Sequence, residues 1–589
     1  MCGLVGYIGK KNRAIDVLIT GLEHLEYRGY DSAGIAYYLN NELIIKKEVG
    51  RIKQLKMSVD MNIKSNLGIG HTRWATHGRP TKVNSHPHNY KDITIVHNGI
   101  IENYLELKKY LLGKKYKFKT DTDTEVAAVL LYDLYKKTGN ILKAIKLFKE
   151  KVIGSYAIGL ICTNEPDTLY AIKKNSPLII GYGEDENYIA SDIIALSQYT
   201  TKYIVLSDGD YAKLDSNHVY VYDNNGKSVE REIKTYISDG EIISKNGYEH
   251  YMLKEIYEEP EVIKKTSIIK KIPDISNYKH IIIVACGSAM HAGLIGKHLL
   301  EEYGGIPTDV EMASEFRYKR HFLDKDTLVI AISQSGETAD TLEAVKIVKE
   351  YKVKTIGIIN VKESSIAREV DTVIYTEAGR EIAVATTKAY VSQVLVLAML
   401  ASKLIKDKDI YEKFNDELKK LPILIEKTWE LDNEYKNISE TIYQERDIFF
   451  IGRCVDYALC MEGSLKLKEI SYLHSEAYPA GELKHGTISL IENGTPVIGI
   501  VTDENIASKT ISNLKEVKAR GAYVVYITTK SLYLEGDFYD KVIILPDIIP
   551  LLEPIITVVP LQFIAYYTAK LNKCDIDNPK NLAKSVTVE

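Results

Sequence analysis

The chain has 589 residues, is 45% hydrophobic and 26% charged, and carries a formal net charge of -4 from 76 basic and 80 acidic side chains. Such a composition is ordinary for globular protein and sets an expectation of about four domains. It gives no support for nucleic acid or an anionic membrane as a bulk partner. Six cysteines (Cys2, Cys162, Cys286, Cys454, Cys460, Cys574) form no framework, which fits a reducing cytoplasm.

The first predicted strand is MCGLVGYIG. It is not a signal peptide, because it lacks a basic n-region and its short apolar run is broken by glycines. A thiol attacks only as thiolate. Once Met1 is removed, the α-amino group of Cys2 lies beside its own sulfur and can act as the base. Gly3, Gly6 and Gly9 predict a strand lying close to other backbone around a small substrate. Taken alone, Cys2 reads equally as a buried thiol in an N-terminal strand.

Residues 1–235 read as alternating short strands with two or three helices, marked most clearly by LEHLEYRGYDSAGIAYY and TDTEVAAVLLYDLYKK. Between these markers lie GIGHTRWATHGRP at 68–80 and IVHNGIIENY at 95–104, and TDTDTEV begins at 120 and ends at 126. With Cys2, these motifs resemble the class II glutamine amidotransferases, which use an N-terminal cysteine nucleophile. The resemblance implies an N-terminal-nucleophile hydrolase fold, an αββα sandwich. Arg73 would hold the glutamine α-carboxylate in a bidentate fork, and Asp123 would hold its α-ammonium. Asn98 and the Gly99 N–H would form the oxyanion hole. Trp74, Thr76 and His77 would wall the site, and Arg28 would position groups near the nucleophile. A metal site built from His71, His77, His86, His88 and His97 is the competing reading. No Cys or carboxylate completes a familiar ligand set, so no metal is expected.

A polar stretch from Tyr222 to Asn246 predicts a connector, with the linker placed at 236–250. The remainder of the chain contains an internal repeat. TLVIAIS resembles TPVIGIVT and DTVIY resembles DKVII; Ser333 and Thr502, like Val373 and Val542, lie 169 residues apart. Continuous Val/Ile runs separated by helices predict buried parallel strands. The expectation is α/β: two tandem doubly wound domains at 251–420 and 421–589. The apolar stretch Val542–Ala569 contains four prolines and two acidic residues, so it is not read as a membrane span.

SQSGETADT at 333–341 comes directly after one such strand and opens a helix. Ser333, Gln334, Ser335 and Thr338 there predict a phosphate site on backbone N–H groups at the helix start. A simple helix cap accounts for one hydroxyl but not for the cluster. ACGSA makes the same turn one strand earlier, so Cys286, Gly287 and Ser288 face the same crevice. EIAVATTKAY, GSLKLKEISYLHSEAY, GELKHG and the tail NLAKSVTVE complete the set. Together these resemble the tandem sugar-isomerase (SIS) domains of the glutamine–fructose-6-phosphate aminotransferase family.

That resemblance implies conversion of fructose 6-phosphate and glutamine to glucosamine 6-phosphate and glutamate, the first step towards UDP-N-acetylglucosamine. It implies no cofactor, and the chain has no G-x-G-x-x-G fingerprint. Lys584 would form a Schiff base with the sugar C2 carbonyl. Glu469 would move the proton between C1 and C2, with Lys466 assisting. His485 would open the sugar ring, supplied by the neighbouring subunit of a homodimer, and Val384 and Thr386 would contact the sugar. Read alone, Lys584 is a tail lysine and Lys466–Glu469 an i,i+3 ion pair. The chain departs from the family pattern at Ala289, Cys454 and Thr487, and Ala289 costs one hydroxyl near the sugar.

The alternatives are an amidotransferase with another sugar-phosphate acceptor and a sugar-phosphate-binding regulator. A regulator has no need of Cys2, Glu469 and Lys584 together. Asparagine synthetase would require a Ser-Gly-Gly nucleotide loop, and a phosphoribosyl-pyrophosphate enzyme a paired-acidic motif; neither is found.

Overall fold

A computed structural model describes the chain apart from residues 1, 27, 28, 41, 75, 76, 237–243, 588 and 589. Residues 1–242 together with 585–589 make one compact unit, and residues 243–584 the other.

The first unit is built on two antiparallel sheets, of eight and seven strands. The pleat explains how they stack. In Gly3–Gly9, Leu4 and Ile8 enter the core between the sheets, while Val5 and Tyr7 face the opposite way onto the helix Ala14–His24. Ile93 and Ile95 of the strand Ile93–Ile101 pack under the helices Tyr104–Gly113, Asp123–Thr138 and Ile141–Lys151, whereas Val96 joins the inter-sheet core. The result is the four-layer αββα sandwich. Its described residues form five α-helices, more than the two or three expected.

The glycines behind Cys2 are required by close packing. A Cβ at Gly3 would stand 2.6 Å from both Leu25 Cβ and Thr72 Oγ1, and one at Gly6 would stand 2.6 Å from Ile189 Cγ1. The helix end and the neighbouring strands close in on the bare backbone. The polar connector is also partly structured. Ser228–Val229 and Lys234–Thr235 are edge strands of the two sheets, and Arg231 grips the buried Asp210 bidentately at 2.7 and 2.8 Å.

The second unit holds two five-stranded sheets, parallel throughout. In the first, the spatial order is Thr308–Met312, His280–Ala285, Thr327–Ser333, Lys354–Ile359, Thr372–Tyr375. This is a 2-1-3-4-5 winding, which opens a crevice beyond the C-terminal ends of its first and third strands. The second sheet repeats it with His474–Pro479, Asp447–Gly452, Pro496–Val501, Tyr523–Thr529 and Lys541–Leu545. Both repeats share one core. Every residue of the helix Lys388–Ser402 is buried in it, and the helix Glu553–Leu571 lies there almost entirely. That accounts for the apolar C-terminal stretch. Among the described residues no helix is long and apolar enough to cross a membrane.

Candidate active site

In the first unit, Cys2, Arg73, Trp74, Gly99 and Asp123 line one pocket, together with His86, His97, Thr122 and Thr124. The Cys2 Sγ lies 3.3 Å from the Trp74 N–H, and burial raises the thiol pKa. The Asn98 amide donates to the Cys2 carbonyl at 3.0 Å. Gly99 is next, with φ +130°, and a Cβ there would stand 2.0 Å from the Ser155 carbonyl oxygen, so only glycine fits. Arg73 is buried, and its guanidinium donates to the carbonyls of His77, Gly78 and Arg79. The His77 ring meets Tyr104 edge-on at 5.1 Å. Arg28 and Thr76 lie outside the described residues.

Asp123 is placed by helix-start chemistry. Thr122 accepts the Glu125 N–H at 3.2 Å, and the Glu125 carboxylate accepts the N–H groups of Lys119 and Thr120. This is the logic of a capping box, with Glu125 reaching into the preceding loop. Asp123 then accepts the Ile101 N–H at 2.9 Å. The threonine–glutamate spacing in TDTE is the sequence signal for it.

The histidines pack against one another, His71 on His86 at 4.0 Å and His86 on His88 at 4.9 Å. Burial lowers the pKa of all three and of His97, and that of His71 falls to about 3. His71 Nε2 donates to the His97 carbonyl at 2.9 Å, which steadies the strand leading into Asn98. Among the described residues no group of three or more His, Cys, Asp or Glu is arranged to hold a metal.

In the second unit, the turns Cys286–Gly287 and Ser333–Thr338 sit at the expected crevice, each between a strand end and a helix start. The Ser333 hydroxyl accepts the Gly336 N–H at 3.0 Å and meets the Thr338 hydroxyl at 3.0 Å. Ser335 Oγ accepts the Glu337 N–H at 3.2 Å, and Gln334 is half-buried in the same loop. Thr338 occupies the N-cap of the helix Ala339–Glu350 without making a side-chain capping bond. The simple cap reading therefore does not explain these hydroxyls. Cys286 is half-buried, with its sulfur 3.9 Å from Thr341 Oγ1.

Ser288 is engaged by a buried carboxylate. Its hydroxyl donates to Glu462 Oε1 at 2.8 Å, across to the second repeat. Glu462 also meets His291 Nδ1 at 2.8 Å and the Lys466 ammonium at 3.5 Å. Burial would raise the Glu462 pKa, but Lys466, His291 and Ser288 hold it below the usual range. Lys466 contacts Glu469 at 2.5 Å, and the two carboxylates raise its pKa despite burial. Lys466 is also close enough to feel Glu381.

Lys584 is not a loose tail residue. Its ammonium is an ion pair with Glu381, and the two side chains are 4% and 0% exposed. Thr386 donates to the same carboxylate at 2.5 Å, and Val384 N–H donates to the Asp577 carbonyl at 3.0 Å. The structure thus brings Lys466, Glu469, Val384, Thr386 and Lys584 into one neighbourhood. His485 stands apart, exposed on the short turn Glu482–His485. Sequence reasoning missed Glu381 and Glu462. The first opens the loop EIAVATTKAY, and the second lies one helical turn before Lys466.

The second repeat carries a different loop at the corresponding turn. Where the first reads SQSGET, the second reads TDENIA, and Thr502 is bound by the buried Asp456. Cys454 begins the adjacent helix with φ 51°, a conformation its counterpart Gly287 adopts at φ 56°.

A glutamine amidotransferase domain model matches residues 77–198, and an SIS domain model matches 274–403 and 441–570. A solved structure, the C-terminal domain of glucosamine-fructose-6-phosphate aminotransferase from Francisella tularensis, is 38% identical with a TM-score of 0.55 over 57% of this chain and 100% of that one. Glutamine–fructose-6-phosphate aminotransferases [isomerizing] from Clostridium tetani and Caldanaerobacter subterraneus are 46% and 47% identical over 100% of both chains. The counterpart in Thermococcus kodakarensis is 44% identical over the same full span. With these domain matches and this identity along the whole chain, the protein belongs to the glutamine–fructose-6-phosphate aminotransferase (isomerizing) family.

Proposed function

We propose that the protein converts fructose 6-phosphate and glutamine to glucosamine 6-phosphate and glutamate. The observation that carries this reading is one chain holding both a cysteine pocket lined by Arg73, Gly99 and Asp123 and a buried Lys584–Glu381 pair beside Lys466. Cys2 attacks the glutamine amide carbon while its α-amino group takes the thiol proton. The Asn98 amide and the Gly99 N–H stabilise the oxyanion of the tetrahedral intermediate. Arg73 exchanges loop carbonyls for the glutamine α-carboxylate, and Asp123 takes the α-ammonium. Trp74 and His77 close the site. Ammonia leaves, and water later releases glutamate from the thioester.

Ammonia passes inside the protein to the sugar, because in bulk water near neutrality it would be protonated and lose its nucleophilic lone pair. The phosphate sits on the Ser333–Thr338 turn, where hydroxyls and backbone N–H groups meet a helix start. Lys584 forms the Schiff base at C2. Glu469 carries the proton between C1 and C2, and Lys466, in contact with it at 2.5 Å, assists the transfer. His485, exposed on its own chain, opens the sugar ring of a neighbouring subunit in a homodimer. The reaction uses no cofactor and runs in the cytoplasm.

The test measures glutamate and glucosamine 6-phosphate together, for wild type and Cys2→Ala. One-for-one formation by wild type, with both products lost in the variant, is the expected result. Glutamate without amino sugar would leave the first half standing and refute the acceptor.

A further inference from the structure

We propose that Glu381 is a catalytic base of the sugar half: its carboxylate takes the proton from the Lys584 ammonium and so frees the amine that attacks the ketone. The proposal rests on Lys584 being the Schiff-base lysine.

An ammonium has no lone pair, so Lys584 must shed a proton before it can add to a carbonyl. Its side chain is 4% exposed, so the acceptor must be a group already in contact. Glu381 Oε2 is that group. The carboxylate is held by contacts independent of the lysine. Oε1 accepts the Thr387 and Ala389 N–H groups at 3.0 and 3.1 Å, at the start of the helix Lys388–Ser402, and Thr386 donates to Oε2 at 2.5 Å. It therefore keeps its aim while the lysine changes from ammonium to amine to imine.

The neighbouring carboxyls fit the role less well. Glu469 is paired with Lys466 at 2.5 Å. Glu255 spends Oε1 on the Ile382 and Ala383 N–H groups, at 2.5 and 3.3 Å. Burial first, and then the charge of Glu381, raise the pKa of Glu255 to about 8, so near neutrality it already holds a proton.

The steps balance. The N–H bond of the ammonium breaks, its electron pair stays on Nζ, and the proton bonds to Glu381 Oε2. Nζ bonds to C2 while the carbonyl π pair moves to oxygen, and Glu381 returns the proton to that oxygen. A second proton passes from Nζ to Glu381 and on to the hydroxyl. Water leaves, the iminium forms, and Glu381 is a carboxylate again. No other reactant is required.

The experiment incubates the full-length protein with fructose 6-phosphate and sodium cyanoborohydride, and tracks the mass of the Lys584 peptide. Wild type gains the reduced sugar adduct on Lys584. Glu381→Gln keeps the shape and accepts the same N–H groups but cannot take a proton, so trapping slows by ~10²-fold or more. Glu381→Asp, shorter but still an acid, retains far more activity than Glu381→Gln. A merely structural role requires the reverse order, and Gln equal to or better than Asp overturns the proposal. If Glu381→Gln does not fold, Glu381→Asp against Glu381→Asn makes the same comparison at equal length and must give the same order. If wild type carries no adduct on Lys584, the Schiff-base assignment falls and this proposal with it. That result differs from a failure of Glu381 alone, in which the wild-type adduct is present.

Discussion

Replacing Gly99 with alanine tests whether the peptide after Asn98 is set by backbone contact. The new Cβ would stand 2.0 Å from the Ser155 carbonyl oxygen, 2.7 Å from its carbon and 2.9 Å from Tyr156 Cα. All three are main-chain atoms of the strand paired with Gly99, so no rotamer change relieves them. Carbon–oxygen contacts normally begin near ~3.3 Å, so the partner strand must retreat by more than about 1 Å. The φ of +130° adds a strain of ~1–3 kcal/mol for a residue with a side chain. A shift of that size mis-aims the Gly99 N–H, and loss of one oxyanion donor costs ~10²–10³ in kcat. Glutamine hydrolysis should fall by that factor, with a much smaller change in KM and a lower Tm for the first unit. Gly113→Ala is the control. A Cβ there meets nothing within 4 Å, and alanine favours a helix, so activity should hold and stability should stay level or rise slightly. A stopped glutaminase assay with thermal unfolding reads both variants. Near wild-type hydrolysis by Gly99→Ala would refute the reasoning.

Cys454→Gly relieves the φ of 51° at the start of the helix Val455–Ser471 and should stabilise the second unit by about 1 kcal/mol, read as a higher Tm. Glu462→Ala leaves the buried Lys466 with one carboxylate and strips His291 and Ser288 of their acceptor. It should cost ~3–5 kcal/mol in denaturant unfolding, with loss of amino-sugar synthesis. Glu553 is raised to about 8 by burial and then by Asp456. Its folded-state pKa thus lies above its unfolded one, so the folded state binds more protons. The stability this gives is complete at low pH and drains away as pH climbs through about 8. Glu553→Gln should therefore match wild type near pH 5 and exceed it by ~1–3 kcal/mol near pH 9; equal melting curves at both ends would count against a neutral Glu553.

The repeated sheets and their crevice are legible in the sequence because period and motif coincide. Continuous Val/Ile strands mark parallel sheet, and two glycine- or hydroxyl-bearing turns mark its switch point. The Cys2 pocket is legible in HTRWATHG, HNG and TDTE, which supply Arg73, Trp74, His97, Gly99, Thr122, Asp123 and Thr124 to its lining. The sequence does not reveal which way side chains turn. Ser288 looks like a sugar ligand until Glu462 is seen across from it. Glu462 looks like an ordinary helix-surface carboxylate, because an acid four residues from a lysine is common on exposed helices, and Glu381 sits in a loop with no periodic pattern to mark its burial. The glycines behind Cys2 suggest substrate clearance, whereas their neighbours are Leu25, Thr72 and Ile189. The short edge strands after Tyr222 carry few apolar residues, so their pairing leaves little pattern to find.

Two copies of one sheet need not carry the same loop: Gln334 and Ser335 of the first stand where the second has Asp503 and Glu504, and Thr338 where it has Ala507. The negative charge now standing there opposes any phosphate. The second copy instead sends the Glu462 carboxylate across to Ser288 and His291 of the first. Repetition of a sheet has thus not meant repetition of its loops: the two copies differ at the crevice and are joined by one buried network of Ser288, His291, Glu462 and Lys466.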